Sequence, residues 1–341
     1  MDSTPSHSYK LSIAPMLGIT NNHFRSFIRL ITKHTLLYTE MINSDTIIHC
    51  QKKILHYFPE QSPLVLQFGG NDPQALYAAA LKASAFNYTE FNLNCGCPSP
   101  KVSSRQFGAS LMKAPDIVST ACAYLNKVNF TSIKCRIGLD EYNEQFLTDF
   151  ISKTSTHGNV SKYILHCRVA IMGIDTIKNR TIPPLQHDIA YQMQKKFPHL
   201  QFVLNGGITT LQQVKEHNEK GMNCMIGRIA FDNPWMLRNA DSVIYNKSDS
   251  GLSRKDVLYK YSDYCYKYYE EYDGEINGNV VCDLVKPIVN VFVGEAYNKK
   301  YKDMLCNVSD DIKQHKENIR DHIYSVIEAY EQMNYDVVNS I

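Results

Sequence analysis

Short, almost wholly apolar runs alternate with longer segments of helix-like amphipathic spacing over residues 11–226. The runs are rich in β-branched residues and show little alternation between apolar and polar positions, which is typical of parallel strands covered on both faces. Eight such runs are present, and we predict a strand for each, over residues 11–15, 36–40, 64–68, 89–93, 132–136, 162–166, 201–205 and 222–226.

The segments between these runs carry helix signals. Residues 73–86 and 115–128 each begin with a proline, which suits the first turn of a helix, and Asp72 precedes the first of them as a candidate N-cap. Eight βα units in about 235 residues match the size of a (β/α)8 barrel. We therefore predict an α/β fold, a TIM barrel, for residues 1–241.

The pattern changes near Ser250. Strand-like runs disappear, and the chain becomes rich in Tyr, Lys and Glu with helical spacing, as in residues 259–269. We predict a smaller all-helical C-terminal domain over residues 242–341, joined to the barrel through residues 246–253.

Composition and charge narrow the class of protein. The chain has 341 residues, 44% of them hydrophobic, and a formal net charge of +2. A nearly neutral chain has no strong overall field, so any nucleic-acid contact must come from local patches. No run is long enough to span a bilayer, and residues 1–6 lack the apolar core of a signal peptide. We expect a cytoplasmic monomer with no membrane association, and an organellar location stays open.

The ten cysteines indicate a reducing compartment. They include no Cys-x-x-Cys pair, so neither a zinc ribbon nor a thioredoxin-type motif is expected, and we predict no metal site. Several cysteines lie in apolar strand-like runs, where a free thiol behaves as a small hydrophobe.

Chemistry in a barrel of this kind lies where strands end and the following loops begin. At the end of the fourth predicted strand the chain reads Asn92-Leu93-Asn94-Cys95-Gly96-Cys97-Pro98-Ser99, which places Cys97 on a tight Gly/Pro turn at the rim of the sheet. The neighbouring amides can hydrogen-bond to an amide-like ring, and the thiol can protonate or attack a planar heterocycle. Neighbouring strand ends add further polar and basic side chains, which are Gln67, Lys134, Arg136, His166 and Arg168.

Two glycine motifs indicate an anion site. Asn205-Gly206-Gly207 follows the seventh predicted strand and Gly227-Arg228 follows the eighth, where barrels commonly bind a phosphate group. A phosphorylated cofactor would then lie across the barrel mouth, with Gln67, Lys134 and His166 within reach of its ring. Taken singly, each feature has a structural interpretation, such as a turn, a salt-bridge lysine, a structural histidine or a packed thiol. Their joint placement at consecutive strand ends favours a functional site.

On these residues the chain resembles the tRNA-dihydrouridine synthase family, and within it the DusA type, from about residue 11 to residue 303. The glycine motifs are weak one by one, but their order and spacing together are specific. The matching stretches include Ala14-Pro15-Met16-Leu17, Leu66-Gln67-Phe68-Gly69-Gly70, the octapeptide that begins at Asn92, Phe107-Gly108-Ala109-Ser110-Leu111-Met112, Lys134-Cys135-Arg136-Ile137-Gly138, His166-Cys167-Arg168, Asn205-Gly206-Gly207-Ile208 and Gly227-Arg228.

The resemblance implies FMN as cofactor, NADPH as reductant and a uridine in the D-loop of tRNA, at position 20 or 20a, as substrate. It also implies that Cys97 donates a proton to C5 of the uridine while hydride reaches C6, and that Asn94 contacts the target base. The positions that correspond to FMN contacts in the family are Pro15, Met16, Leu17, Gln67, Lys134, His166, Asn205, Gly206, Gly207, Gly227 and Arg228.

Members of this family carry a helical C-terminal domain that holds tRNA, which fits the change of pattern near Ser250. The candidate tRNA contacts are Lys178, Arg180, Lys299 and Lys302. Lysine neutralises phosphates as arginine does, but it lacks the planar fork. The chain departs from the family pattern at three positions, which are Cys95 inside the octapeptide, Arg105 in place of a glycine and Val169 in place of a basic residue.

Two other functions compete with this one. A free-pyrimidine FMN oxidoreductase of the dihydroorotate dehydrogenase type would share the barrel, but a small substrate needs neither the helical tail nor the lysine run from Lys299 to Lys302. A non-catalytic tRNA-binding protein would keep the fold without turnover. The presence of Cys97, Lys134 and His166 argues against it.

Overall fold

The computed structural model describes residues 9–49, 52–271, 278–307 and 319–338. Residues 1–6 and Cys50, together with parts of the predicted C-terminal domain, lie outside these ranges.

The predicted TIM barrel is confirmed. Within the described ranges, eight parallel strands form one sheet in the order β1, β8, β7, β6, β5, β4, β3, β2. Ser12 forms a parallel bridge with Leu36, and the Ile13 amide donates to the Leu36 carbonyl at 2.9 Å, so the two edges of the sheet meet. The strands are β1 (Leu11–Ile13), β2 (Leu37–Asn43), β3 (Leu64–Gly69), β4 (Glu90–Cys95), β5 (Thr131–Arg136), β6 (Lys162–His166), β7 (Gln201–Asn205) and β8 (Asn223–Ile226).

Helices fill the connections between strands and make up the C-terminal part of the described chain. Several begin as the sequence predicts, with the Asp72 side chain accepting from the Gln74 amide and prolines in the first turns of α3 and α5. The α-helices are α1 (Asn22–Ile31), α2 (Ser44–His49), α3 (Pro73–Ala83), α4 (Pro100–Ser103), α5 (Pro115–Leu125), α6 (Glu144–Gly158), α7 (Lys178–Thr181), α8 (His187–Lys196), α9 (Leu211–Glu219), α10 (Ile229–Asp232), α11 (Ala240–Tyr245), α12 (Arg254–Glu271), α13 (Gly278–Val285), α14 (Asn298–Cys306) and α15 (Ile319–Val338).

The sixth and seventh strands have the predicted boundaries, and several other elements begin or end one to three residues from theirs. The first strand ends at Ile13 rather than at Pro15, because proline has no N–H to donate to a ladder. The fourth strand continues to Cys95, and α3 and α5 each end three residues earlier than predicted. Gly138 lies between β5 and α6, and Gly158 is the last residue of α6.

Two compact units divide the chain. One comprises the described residues of Met1–Gly18 and Thr35–Gly227, and the other those of Ile19–His34 and Arg228–Ile341. Helix α1 therefore groups with the C-terminal helices, and inside that unit the ring of Phe27 lies 5.5 Å from that of Tyr261 on α12. The domain boundary at residue 242 stays a prediction. No helix in the described ranges combines the length and the apolar character needed to cross a membrane.

The barrel interior is apolar on one side and polar on the other. The apolar side is a single cluster of Ala14, Leu36, Tyr38, Val65, Ile164, Val203 and Met225. Strands β4 and β5 contribute nothing to this cluster. Because side chains alternate between the two faces of a strand, each of these strands presents a polar set on one face, which is Glu90, Asn92 and Asn94 on β4 and Ser132, Lys134 and Arg136 on β5.

Candidate active site

Parallel pairing brings the predicted polar residues of β3 to β7 together at the ends of their strands. Asn94 lies opposite Lys134, and His166 lies opposite both Arg136 on one side and Asn205 on the other. Five of the predicted site residues, Gln67, Asn94, Lys134, His166 and Asn205, thus meet at one end of the barrel, which we call the barrel mouth.

Three amide side chains form a hydrogen-bonded row that leads from the barrel interior to the mouth. Gln67 donates from Nε2 to Asn92 Oδ1 at 2.7 Å, and it accepts at Oε1 from Asn94 Nδ2 at 2.8 Å. All three are buried, with Gln67 1%, Asn92 0% and Asn94 8% exposed. A buried amide that loses its hydrogen-bond partners raises the free energy of the folded state. These bonds therefore hold the row in a defined orientation.

The loop that carries Cys97 is fixed on several sides. Asn94 Oδ1 accepts from the backbone amides of Gly96, at 3.1 Å, and Cys97, at 2.9 Å. The Cys97 carbonyl accepts from the Ala109 amide at 2.9 Å, and Arg136 Nε donates to the Gly96 carbonyl at 3.2 Å. Cys97 itself is half-buried. Its thiol therefore sits on a rigid turn with one side accessible.

Gly108 shows how closely the next segment packs on this loop. It has a φ of +67°, and a Cβ atom there would lie 2.6 Å from the Cys97 carbonyl oxygen. Only glycine fits this position without moving the loop.

Cys95 occupies a different environment from Cys97. It is fully buried, and its pKa is raised well above the usual value, mainly by removal from water and further by the thiols of Cys122 and Cys135. A buried, protonated thiol that points away from the face of Asn94 is a packing residue.

Lys134 carries positive charge into the mouth. Its Nζ donates to Asn205 Oδ1 at 3.1 Å. Removal of the ammonium from water, reinforced by the positive charge of Arg136, lowers its pKa from 10.5 to about 8. The pKa of His166 lies well below its usual range, mainly because the ring is buried and further because Arg136 and Lys134 are positively charged. Its imidazole is therefore neutral at neutral pH.

The Asn205-Gly206-Gly207 turn has a backbone that only glycine adopts readily. Gly206 has a φ of +113° and Gly207 a φ of +71°. A Cβ on Gly206 would lie 2.8 Å from His166 Cδ2, and one on Gly207 would lie 2.4 Å from Leu185. The Gly206 carbonyl is hydrogen-bonded to His187 Nε2 at 2.7 Å. Both positions therefore require glycine, because His166 and Leu185 pack directly against the turn.

The other predicted cofactor contacts are placed as follows. Pro15, Met16 and Leu17 follow β1, Met16 packs on the apolar cluster, and Leu17 is 79% exposed. Gly227 ends the first unit, and Arg228 begins the second as the exposed residue before α10.

The predicted tRNA contacts fall into two groups. Lys178 and Arg180 lie on α7 in the first unit, where Lys178 is exposed and Arg180 is near enough to lower the pKa of both Arg136 and His166. Lys299 and Lys302 lie on α14 in the second unit, and Lys302 Nζ donates to Asn290 Oδ1 at 2.7 Å.

Arg136 is a site residue that the sequence analysis left without a role. Besides Gly96, it donates to the carbonyls of Val169, at 3.0 Å, and Asn179, at 3.3 Å, while remaining 3% exposed. It therefore joins the Cys97 loop to the loop after β6. The signal that could have found it is the spacing of Ser132, Lys134 and Arg136, three polar residues at every second position of a buried strand.

The fold and this constellation define a TIM-barrel enzyme with its chemistry at the strand ends. Residues 12–328 match the family model described as dihydrouridine synthase (Dus). The chain belongs to the dihydrouridine synthase family, and the predicted family and enzyme class are confirmed.

Several relatives are similar over most of their length. The chain is 41% identical over 256 residues to the tRNA-dihydrouridine(20/20a) synthase of Vibrio vulnificus, covering 74% of this chain and 78% of the relative. It is 40% identical over 253 residues to the synthase of the same name from Synechocystis, covering 73% and 75%. For the one from Escherichia coli K12 the identity is 41% over 247 residues, covering 71% and 72%.

A solved structure shares the fold alone. The complex of 2-naphthoyl-CoA reductase with 2-naphthoyl-CoA aligns with a TM-score of 0.51 at 8% identity. The alignment covers 69% of this chain and 51% of the reductase chain.

Proposed function

We propose that this protein reduces uridine to 5,6-dihydrouridine at position 20 or 20a in the D-loop of tRNA, using FMN and NADPH, with Cys97 as the proton donor. The observation that carries the proposal is the meeting of Gln67, Asn94 and Lys134 at the barrel mouth beside the fixed loop of a half-exposed thiol. The names of the relatives supply the substrate and its position.

The residues at the mouth fit FMN. Gly206 is half-buried and Gly207 is exposed, so their backbone N–H groups could meet a phosphate. Lys134 provides a cation beside the amide row, which matches a ring that gains negative charge when it is reduced. Pro15, Met16, Leu17, Gln67, His166, Asn205, Gly227 and Arg228 complete the proposed binding set. When bound, FMN supplies the hydride chemistry, with NADPH as reductant.

The protein's own part in the reaction is positioning and one proton. Asn94 and Gln67 orient the planar rings through their amide groups. Cys97 Sγ holds a proton for C5 of the uracil ring. Its loop donates to Asn94 Oδ1 and accepts from the Ala109 amide and Arg136 Nε, and these bonds keep the thiol in place. The target base has to leave its stack to reach this site.

Binding of tRNA is proposed for two basic groups. Lys178 and Arg180 stand on the loop after β6, and Lys299 and Lys302 stand on α14. Because the net charge of the chain is only +2, these local patches would have to provide the phosphate contacts. In this proposal the second unit holds tRNA and the protein acts as a monomer.

A test of the proposal compares Cys97→Ala with Cys95→Ala in the purified protein. The wild type should contain FMN, oxidise NADPH and form dihydrouridine in tRNA that lacks it. Cys97→Ala should keep its flavin and its NADPH oxidation but lose at least about 100-fold in dihydrouridine formation, the usual range for removing a positioned proton donor. Product is read by mass spectrometry of nuclease-digested tRNA.

Cys95→Ala is the matched control, because it removes a neighbouring thiol that is fully buried. It should form dihydrouridine at a rate close to that of the wild type. Unchanged product from Cys97→Ala would refute its role as proton donor. Reduction of free uracil or oxidation of dihydroorotate, with none of tRNA, would instead favour the free-pyrimidine oxidoreductase.

A further inference from the structure

A continuous chain of buried side chains runs through the polar half of the barrel interior. It begins at an ion pair in which Lys162 Nζ and Glu90 Oε2 lie 2.7 Å apart, with side chains 2% and 0% exposed. Ser132 Oγ donates to the other carboxylate oxygen of Glu90, and Asn92 Nδ2 donates to Ser132 Oγ at 2.7 Å. From Asn92 the chain continues through Gln67 to Asn94 and the Cys97 loop.

The two ends of this chain fix the direction of every hydrogen bond in it. A carboxylate only accepts, so the Ser132 hydroxyl gives its single proton to Glu90 and must accept from Asn92. At the other end the backbone amides of Gly96 and Cys97 only donate, so Asn94 turns its oxygen toward them and its nitrogen toward Gln67. An amide flipped at any step would place two acceptors or two donors against each other.

This direction determines which polar atoms at the mouth have hydrogen-bonding capacity that the chain does not use. Gln67 Nε2 and Asn94 Nδ2 each use one N–H hydrogen within the chain. Within the described parts of the protein, no acceptor takes the second hydrogen of either amide. Both lone pairs of Asn94 Oδ1 are occupied by backbone amides. The two residues therefore offer N–H donors to a ligand.

We propose that Glu90, Lys162 and Ser132 are positioning residues that anchor the inner end of this chain, so that Gln67 and Asn94 present their N–H donors at fixed positions to the ring bound at the mouth. The inference rests on the proposed function in taking that ring to be flavin or uracil, since both carry carbonyl oxygens that require donors. Glu90 and Lys162 are the first residues of β4 and β6. They lie about 13 Å along their strands from Asn94 and His166, so they act through the chain rather than by contact.

Stability alone does not account for this ion pair. Replacing a buried pair by apolar residues of similar volume is often neutral or stabilising. The rest of the interior is filled in that way, by the apolar cluster around Tyr38, Ile164 and Met225. An ion pair at the base of a row of amides instead supplies what apolar residues cannot, which is a fixed acceptor at one end.

Ser132→Ala is the variant that tests the proposal, because it removes the link between Glu90 and Asn92 and leaves the ion pair intact. Without Ser132 the buried Asn92 Nδ2 group loses its acceptor, and the Asn92 and Gln67 amides are held from the Asn94 end alone. We expect FMN affinity to fall about tenfold, the equivalent of one hydrogen bond, and the absorption spectrum of the bound flavin to shift. We expect backbone amides 96 and 97 of the apoprotein to exchange hydrogen faster. Ser132→Thr keeps the hydroxyl and should restore all three properties.

Two further variants separate orientation from general destabilisation. Thr154→Val removes an equally buried hydroxyl, which bonds to Phe150 and Tyr163 outside this chain, and should change FMN affinity less than twofold. Glu90→Leu with Lys162→Met replaces the pair by apolar groups of similar volume, removes the acceptor of the Ser132 hydroxyl and should reproduce Ser132→Ala. The proposal fails if Ser132→Ala behaves as Thr154→Val does, or if the double variant matches the wild type. If the wild type itself binds no FMN, the proposed function fails, and hydrogen exchange at residues 96 and 97 still decides whether the chain orders the loop.

Discussion

Two buried carboxylates, Glu90 in the barrel and Asp241 in the helical unit, have different kinds of hydrogen-bond partners. Their comparison shows that the partners of a buried carboxylate, rather than its burial, determine its role. Both are at most 1% exposed. Asp241 accepts from the Thr32 hydroxyl at 2.7 Å and from the backbone amides of Lys33, at 2.7 Å, and His34, at 3.1 Å. Within the described ranges the partners of its carboxylate belong to the turn that follows α1, so it fixes the path of that backbone.

Within the described ranges the Glu90 carboxylate has no backbone donor, and its partners are the side chains of Lys162 and Ser132. From Ser132 the bonds continue through amides to the loop of Cys97. The same chemical group therefore serves the fold in one unit and the site in the other. The comparison predicts that substitutions at the two carboxylates will separate stability from ligand binding.

The largest effect on stability is expected from Asp241→Ala. The change removes three hydrogen bonds to a charged acceptor and leaves two backbone amides without their partner, so the free energy of unfolding should fall by about 2 kcal/mol or more. Urea unfolding measures it. Folded protein at low temperature should still bind FMN with unchanged affinity, because the described partners of the Asp241 carboxylate belong to its own unit.

Asp249→Ala serves as the control for this change. Asp249 also accepts from a backbone amide and a hydroxyl, both of Ser242, but it does so near the surface. Asp249→Ala should lower the free energy of unfolding clearly less than Asp241→Ala does. An equal cost for the two variants, or a loss of FMN affinity in Asp241→Ala alone, would remove the distinction between the two carboxylates.

Lys134 should make the barrel mouth sensitive to pH. Its ammonium has a pKa of about 8 in the folded protein, so it loses its charge as the pH rises through 8. FMN should therefore bind more weakly at pH 9.5 than at pH 7, by up to about tenfold, and Lys134→Met should abolish this dependence while binding weakly throughout. Lys134→Arg should keep the charge and move the transition to higher pH.

The same residue affects the stability of the apoprotein in the opposite sense. The folded pKa lies below the unfolded value of 10.5, so the unfolded chain binds more protons between these two pH values. Stability relative to Lys134→Met should therefore rise from pH 8 toward pH 10.5, as measured by urea unfolding at each pH. A flat difference would mean that Lys134 titrates normally.

The strands and the mouth residues were predictable because they depend on local patterns. Apolar runs bounded by turns locate all eight strands, and the barrel rule then selects Gln67, Asn94, Lys134 and His166 from the strand ends. Simple alternation along β4 would also have placed Cys95 on the face opposite Asn94, away from the mouth.

The connections between these residues were not predictable, because they depend on register between strands. Ser132 and Glu90 read as a small residue and a charge at the starts of two strands, and only the pairing of β4 with β5 brings the Ser132 hydroxyl between Glu90 and Asn92. The grouping of α1 with α12 is equally invisible in sequence, since the two helices are far apart in the chain and meet through Phe27 and Tyr261.

The smallest effect is expected at α14, where the two predicted tRNA contacts differ in their surroundings. Lys299 is exposed, whereas Lys302 also bonds to Asn290, which in turn donates to the Phe231 carbonyl at 3.0 Å. Lys299→Ala should leave urea unfolding unchanged and lower the slope of log K for tRNA against log salt by about 1, the effect of one phosphate contact. Lys302→Ala should produce the same change in slope together with a small loss of stability.

Lys300→Ala, which alters the adjacent lysine on another face of the helix, should leave the slope as it is in the wild type. Equal slopes for all three variants would assign the binding to the charge of the helix as a whole rather than to two particular lysines.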